Sequence, residues 1–349
     1  MNTHNTTQKS ALLLATLLIT AGAATATGQT TPGSSIPDSL GIGMQMVLVG
    51  DAGNTPDPAT GNRYGAVSYE YYIGKYEVTN AQYAAFLNAV ASRSDPYALY
   101  NTSMANTTVG GITRTGTEEE GYTYLVKEGY AAKPVNCVSF YDAARFCNWL
   151  TNGQGSGGTE SGLYVFDGVN NLVSTPDHAA STGWVIPDED EWYKAAYYDP
   201  DKGGAGIGGY WAYPTQSDSI SKNDANYDNY GGNAADYLKD AGSYIEASSY
   251  FGTYDQAGNV WERMENMYDA DNRVLRGGSY YSGDGNRSGD DGRNGLDPAA
   301  EGGGIGFRVA FLTSVPEPGT VAGAPGLAAL VFGIWLRHIR HHPGRARRG

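Results

Sequence analysis

The chain has 349 residues, including 49 glycines and 27 tyrosines, and carries 37 acidic against 23 basic side chains. A net charge of −14 repels phosphates and excludes backbone-driven nucleic-acid binding, and two cysteines are too few for a disulfide scaffold. The length suits one large domain or two small ones, and there is no internal repeat or heptad pattern.

Residues 1–26 read as a secretory signal peptide: a polar start with Lys9, an apolar run from Ala11 to Ala24, and an Ala24-Thr25-Ala26 cleavage site. A short membrane anchor is the alternative. Residues 27–43 read as a linker, and residues 44–313 as the folded domain. Met46–Val49 and Val67–Ile73 are predicted strands flanking a hairpin loop. Thr79 and Gln82 form a capping-box start, followed by Tyr83, Phe86, Leu87 and Val90 at helical spacing. Ser139 is predicted to cap a second helix with the stripe Ala143, Phe146, Cys147 and Leu150. Asp188, with Glu191 three residues on, opens a third that turns Trp192, Ala195 and Ala196 inward. From Gly203 onward turn chemistry dominates, with a few short strands.

Downstream, Val315-Pro316-Glu317-Pro318 precedes the uncharged stretch 319–336 and then five arginines. Eighteen helical residues span roughly 27 Å, enough for a hydrocarbon core, and the basic tail would stay cytoplasmic. Without leader and tail, 17 basic and 36 acidic side chains leave a net charge of −19, a surface that attracts cations. Pro-Glu-Pro, one span and an arginine cluster resemble the PEP-CTERM sorting signal of Gram-negative bacteria. The resemblance implies recognition by an exosortase-type enzyme, a transient membrane anchor, and delivery to the cell envelope or extracellular matrix. An ordinary single-span anchor is the alternative.

Five blocks then carry a second resemblance, in order: Ile73 to Tyr83, Lys133 to Ser139, Ile186 to Trp192, Tyr254 to Glu262, and Arg276-Gly277-Gly278-Ser279-Tyr280 with Gly306-Phe307-Arg308. Together they resemble the formylglycine-generating enzyme (sulfatase-modifying factor) domain. That implies an α+β fold, a loop-rich C-type-lectin-like variant with short strands and about three helices. The family's oxidase chemistry uses two cysteines after the Gly-Gly-Ser; the matching positions here hold Ser282 and Arg287. Serine is a hard, weak ligand and arginine a cation, so copper(I) is not expected.

Hard cations are better served. Asp255, Gly258, Val260 and Glu262 offer two carboxylates and two backbone carbonyls around a Gly-Asn turn, a set suited to calcium. Alternatively, Asp255 and Glu262 only cap the turn, with Trp261 in the core. The resemblance also places calcium on these positions, and a second ion on Asn226, the Tyr227 carbonyl, Asp236 and the Leu238 carbonyl. Asp284 to Gly289 starts like a calcium loop, but position 12 is Gly295 rather than glutamate. His178 is the only histidine of the mature region, which excludes a two-histidine iron site and a nucleophilic triad; it reads as a loop residue. Cys137 and Cys147 read as buried thiols. Tyrosine clusters at 208–213, 227–237 and 244–254 suit either loop packing or a groove for polysaccharide or peptide. The expected function is a calcium-stabilised binding or structural module that has lost oxidase chemistry. A protein-modifying enzyme with altered ligands and a lectin-like polysaccharide binder are the alternatives.

Overall fold

The computed structural model describes residues 42–313 apart from 157, 169–170, 230–235 and 284–291. The predicted leader, most of the linker, the sorting signal with its span 319–336, Arg287 and the 284–289 loop therefore lie outside the described residues. Among the described residues no helix is long and apolar enough to cross a membrane.

The amino-terminal hairpin forms as expected. β1 (Met46–Val49) pairs antiparallel with β2 (Tyr71–Gly74), although the second strand begins four residues later than the sequence pattern indicates. All three predicted caps are made. Thr79 accepts from the Gln82 amide and starts α1 (Asn80–Val90), which buries Tyr83, Phe86 and Leu87. After α1 come two elements the sequence pattern did not reveal, the single-turn α2 (Ser103–Asn106) and the hairpin of β3 (Ile112–Thr117) and β4 (Gly121–Val126). Ser139 and Asp142 cap each other's amides at the start of α3 (Phe140–Thr151), whose predicted stripe is buried throughout. Two short strands, β5 (Val165–Phe166) and β6 (Leu172–Ser174), lead to β7 (Gly183–Val185). Asp188 and Glu191 form the third capping box at α4 (Glu189–Tyr197). The hairpin of β8 (Tyr198–Asp199) and β9 (Gly209–Tyr210) follows, and then a long loop-rich stretch.

The remaining strands are β10 (Trp261–Met267), β11 (Arg273–Arg276), β12 (Arg293–Leu296), β13 (Ile305–Gly306) and β14 (Ala310–Leu312). They complete two four-stranded sheets, ordered β1-β2-β14-β7 and β12-β11-β10-β13. The last strand thus inserts between the first hairpin and β7, so the domain's two ends close on each other. α1 and α3 pack their aromatic stripes together, with Phe86, Phe146 and Trp149 in mutual ring contact and Phe307 against Phe146. Side chains buried to this degree each contribute roughly 1.5–3 kcal/mol, so this cluster stabilises the contact between the two helices strongly. The described residues all belong to one compact unit.

Candidate functional site

The segment 255–262 is wound by residues of unusual conformation. Asp255, Gly258 and Asn259 all have positive φ, at 61°, 89° and 58°. Gly258 has a second constraint: a Cβ there would lie 2.1 Å from the Asn226 carbonyl oxygen. Its amide donates to the Gly277 carbonyl, and the Asn259 amide to that of Asn226. The Asn259 side chain then joins three loops. Its Oδ1 accepts from Asn226 Nδ2 (3.0 Å) and the Lys239 amide (3.1 Å), and its Nδ2 donates to Glu77 Oε1 (3.2 Å). We expect Gly258→Ala to destabilise the fold by more than about 1 kcal/mol, read as a lower urea midpoint, because strain and overlap add.

The Arg276–Tyr280 block sits on this knot. Gly277 and Gly278 both have positive φ, and the Tyr280 amide donates to the Asn259 carbonyl. Ser282 closes the following turn: its Oγ accepts from the Ser279 amide at 2.9 Å, and its carbonyl accepts from the Asp228 amide. Tyr280 stacks on Tyr237 at 5.4 Å between ring centres.

The structure brings the two predicted ligand sets to one region, bridged by Asn226 and Gly258. Several of their oxygens already accept from other donors. Arg308 grips Glu262 with both ends of its fork, Nε to Oε2 at 2.5 Å and a terminal nitrogen to Oε1 at 2.7 Å. Trp192 Nε1 donates to the same Oε2 at 2.7 Å. Asp255 Oδ2 accepts from the Gly242 amide at 2.6 Å, and burial lifts its carboxyl to about 6. Lys222 Nζ lies 2.6 Å from the Tyr227 carbonyl, and Lys133 Nζ lies 2.5 Å from that of Leu238. Asn226 Oδ1 accepts from Asn229, and Asp236 is exposed. Calcium takes six to eight oxygens, and ammonium, guanidinium and amide donors already engage several of those on offer, so the ion would bind here only by displacing them. Trp261 is not the inward residue of its strand. It is partly exposed, while Glu262 is fully buried, because Arg308 supplies the charge that lets a carboxylate leave water.

Both cysteines are buried in the main core and form no disulfide. Burial pushes the Cys137 thiol up to about 12 and raises that of Cys147 as well, so neither is a thiolate at neutral pH. Many tyrosines of the three loop clusters pack inward, Tyr210 against Tyr193 and Tyr198, for example. A groove of about 350 Å³ opens beside Tyr76, Glu77, Thr79, Ala132 and Ala241. His178 does lie in a loop, but it is almost enclosed and bridges two carboxylates, those of Glu191 and Glu265. Sequence reading missed this grouping because Glu265 is 87 residues away; the one signal was that the mature region keeps a single histidine.

The sulfatase-modifying factor enzyme 1-like domain (FGE-sulfatase) matches residues 23–312. The chain belongs to this family. Among solved structures, Treponema denticola variable protein 1 is similar at a TM-score of 0.50 and 20% identity, over 78% of this chain and 97% of that one. CarF is similar at 0.48 and 19%, over 78% and 100% of the two chains. PvdO from Pseudomonas aeruginosa is similar at 0.48 and 20%, over 81% and 99%. No curated protein matches the chain. The loop-rich α+β architecture with few helices is the sulfatase-modifying-factor fold, as the five sequence blocks imply.

Proposed function

We propose that this member of the sulfatase-modifying-factor family is an exported, surface-sorted binding or structural module without the family's thiol-dependent oxidase chemistry. One observation carries the reading: the hydroxyl of Ser282, where the resemblance calls for a ligand cysteine, spends itself closing a turn, and the two available sulfurs are buried neutral thiols. Copper(I) needs paired, accessible thiolates, and packing supplies none. The loop-rich α+β fold supports a role in which long ordered loops present a surface, as the C-type-lectin-like relation implied by the resemblance would. The groove beside Tyr76 and Ala132, mixed apolar and polar, suits a polysaccharide or peptide segment. Export and sorting rest on the leader and the Pro-Glu-Pro signal, with an exosortase-type partner. Calcium enters this reading only as an ion that must displace the Lys133, Lys222 and Arg308 contacts.

The purified protein, supplied with copper(I) and a sulfatase-type cysteine peptide, is expected to form no formylglycine by mass spectrometry. Clear turnover would refute the reading and favour the enzyme alternative. Calcium is expected to leave the melting temperature unchanged relative to chelator; a rise of several degrees would show that the ion displaces the lysines. A glycan array separates polysaccharide binding from a purely structural role.

A further inference from the structure

One cluster of metal-ligating side chains lies outside the family motif's knot, at the mouth of a different cleft. His178, on the loop between β6 and β7, points one ring nitrogen at each of two carboxylates. Nδ1 lies 2.9 Å from Glu191 Oε1, and Nε2 lies 3.1 Å from Glu265 Oε2. Glu191 and Asp188 each commit one oxygen to the cap of α4, Glu191 Oε2 to the Asp188 amide and Asp188 Oδ1 to the Glu191 amide. Asp188 keeps its other oxygen, whereas Glu191 Oε1 already accepts from Tyr69 and faces His178 Nδ1, the contact a metal would replace. One ligand atom each from His178, Asp188 and Glu191 falls within 4.8 Å of the others. Ligand atoms around a tetrahedral zinc-type ion lie roughly 3–4 Å apart, so a small closure suffices.

We propose that His178, Asp188 and Glu191 bind a divalent transition metal of the zinc class, with a fourth position open to the adjacent cleft. Three features support this beyond ligand proximity. Glu265 holds the second ring nitrogen and is itself fixed by the Tyr164 hydroxyl at 2.6 Å; a metal-ligating histidine commonly has its far nitrogen held this way. Tyr69 donates to Glu191 Oε1 at 2.8 Å, steadying the facing carboxylate. A cleft of about 480 Å³ lined by His178, Asp188, Glu265 and Asn266 gives an ion and its bound water a route in.

Charge points the same way. Three carboxylates face one imidazole here, and Arg273 donates to the backbone carbonyl of Glu265 rather than to a carboxylate oxygen of the cluster. One imidazole with two carboxylates suits zinc or its neighbours better than calcium, which prefers oxygen alone. On binding, the metal would take the Nδ1 lone pair after the proton between Nδ1 and Glu191 leaves to solvent, while the Nε2 proton stays on the ring and is donated to Glu265. This inference does not depend on the absence of oxidase chemistry.

The full chain has five histidines, three of them at 338, 341 and 342, so the test starts by changing the other four (His4, His338, His341 and His342) to Asn. This protein, stripped with chelator, is titrated calorimetrically with zinc and spectroscopically with cobalt(II). One equivalent of zinc, a raised melting temperature and visible cobalt bands of a low-coordinate site are expected. His178→Gln is expected to lose about 100-fold or more in affinity, and Glu265→Gln about 10- to 100-fold with stoichiometry kept. Asp188→Asn keeps a competent helix cap, so it stays folded while binding zinc more weakly. No binding at millimolar zinc, or full affinity in both His178→Gln and Asp188→Asn, would overturn the proposal; in the first case protonated His178 is the only cation the cluster takes.

Discussion

Glu262→Ala should lower the protein's stability by about 3–5 kcal/mol, the usual effect of leaving a buried charge without its partner. In a domain of this size that is on the order of 10 °C in melting temperature. The loss is large because Arg308 serves four places at once. Besides both Glu262 oxygens, its guanidinium donates to the Gly74 carbonyl at 2.7 Å and the Tyr254 carbonyl at 2.9 Å. Glu262 lies on β10, Gly74 ends β2, and Arg308 leads into β14, so this pair links the two four-stranded sheets. Trp192 of α4 donates to the same carboxylate and would lose its acceptor. Arg308→Lys keeps the charge but not the fork and should recover only part of the stability. The double change Glu262→Gln with Arg308→Met removes both charges and should cost less than Glu262→Ala. Differential scanning calorimetry decides it: a Glu262→Ala protein melting within about 2 °C of the parent would mean the pair does not hold the sheets together.

Helix starts were legible in the sequence because their causes are local. Thr79 with Gln82, Ser139 with Asp142 and Asp188 with Glu191 each need only four residues to satisfy orphan amides, and all three caps form. The β1–β2 hairpin was legible for the same reason. Sheet order was not. That β14 lies between β2 and β7 depends on pairings more than 100 residues apart, with no local signature. The alternative with Trp261 in the core does not hold, although strand alternation would send the tryptophan inward and the glutamate outward. The rule fails once a distant arginine neutralises the glutamate. Hairpin β3–β4 was hidden by its exposed, polar residues, which give no strong apolar alternation.

The candidate sites show the same limit. Asn226 and Gly258 were named from the sequence, and the fold does join them, but the lysines that reach the Tyr227 and Leu238 carbonyls come from positions 222 and 133. No reading of the segment 226–238 alone reveals that Lys133 arrives there. His178 likewise acquires meaning only when the 176–182 loop lies over α4 and β10.

Raising the pH from 6 to 8 should destabilise the protein, and Glu301→Gln should remove part of that dependence, the rest resting with groups such as Asp188, which burial also lifts to about 8. Burial first, and then the neighbouring Asp142, lift the Glu301 carboxyl to about 8. Asp142 itself, capping α3, is raised to about 6 mainly by burial, and the two carboxyls share a hydrogen bond. Arg263 neutralises this pair only in part, because it donates to the carbonyls of Val138 and Ala300. The sign follows from proton counts. Between pH 6 and 8 the folded state holds a proton on Glu301 that the unfolded state, titrating near 4.5, has already lost. The folded state binds more protons, so stability is greatest at the acid end and falls as pH rises through 8. His178, raised to about 11 as Glu191 and Glu265 outweigh its burial, acts in the same direction. Lys194, lowered to about 8 by burial, opposes only above that pH. Because Glu301 is partly exposed, solvent screening trims its share to about 1 kcal/mol across the window. Urea midpoints at pH 6, 7 and 8, taken with chelator present, measure the slope. Glu301→Gln keeps a neutral hydrogen-bonding side chain, so it should hold its pH 6 stability at pH 8 better than the parent; an equally steep fall in both would place the responsible protons elsewhere.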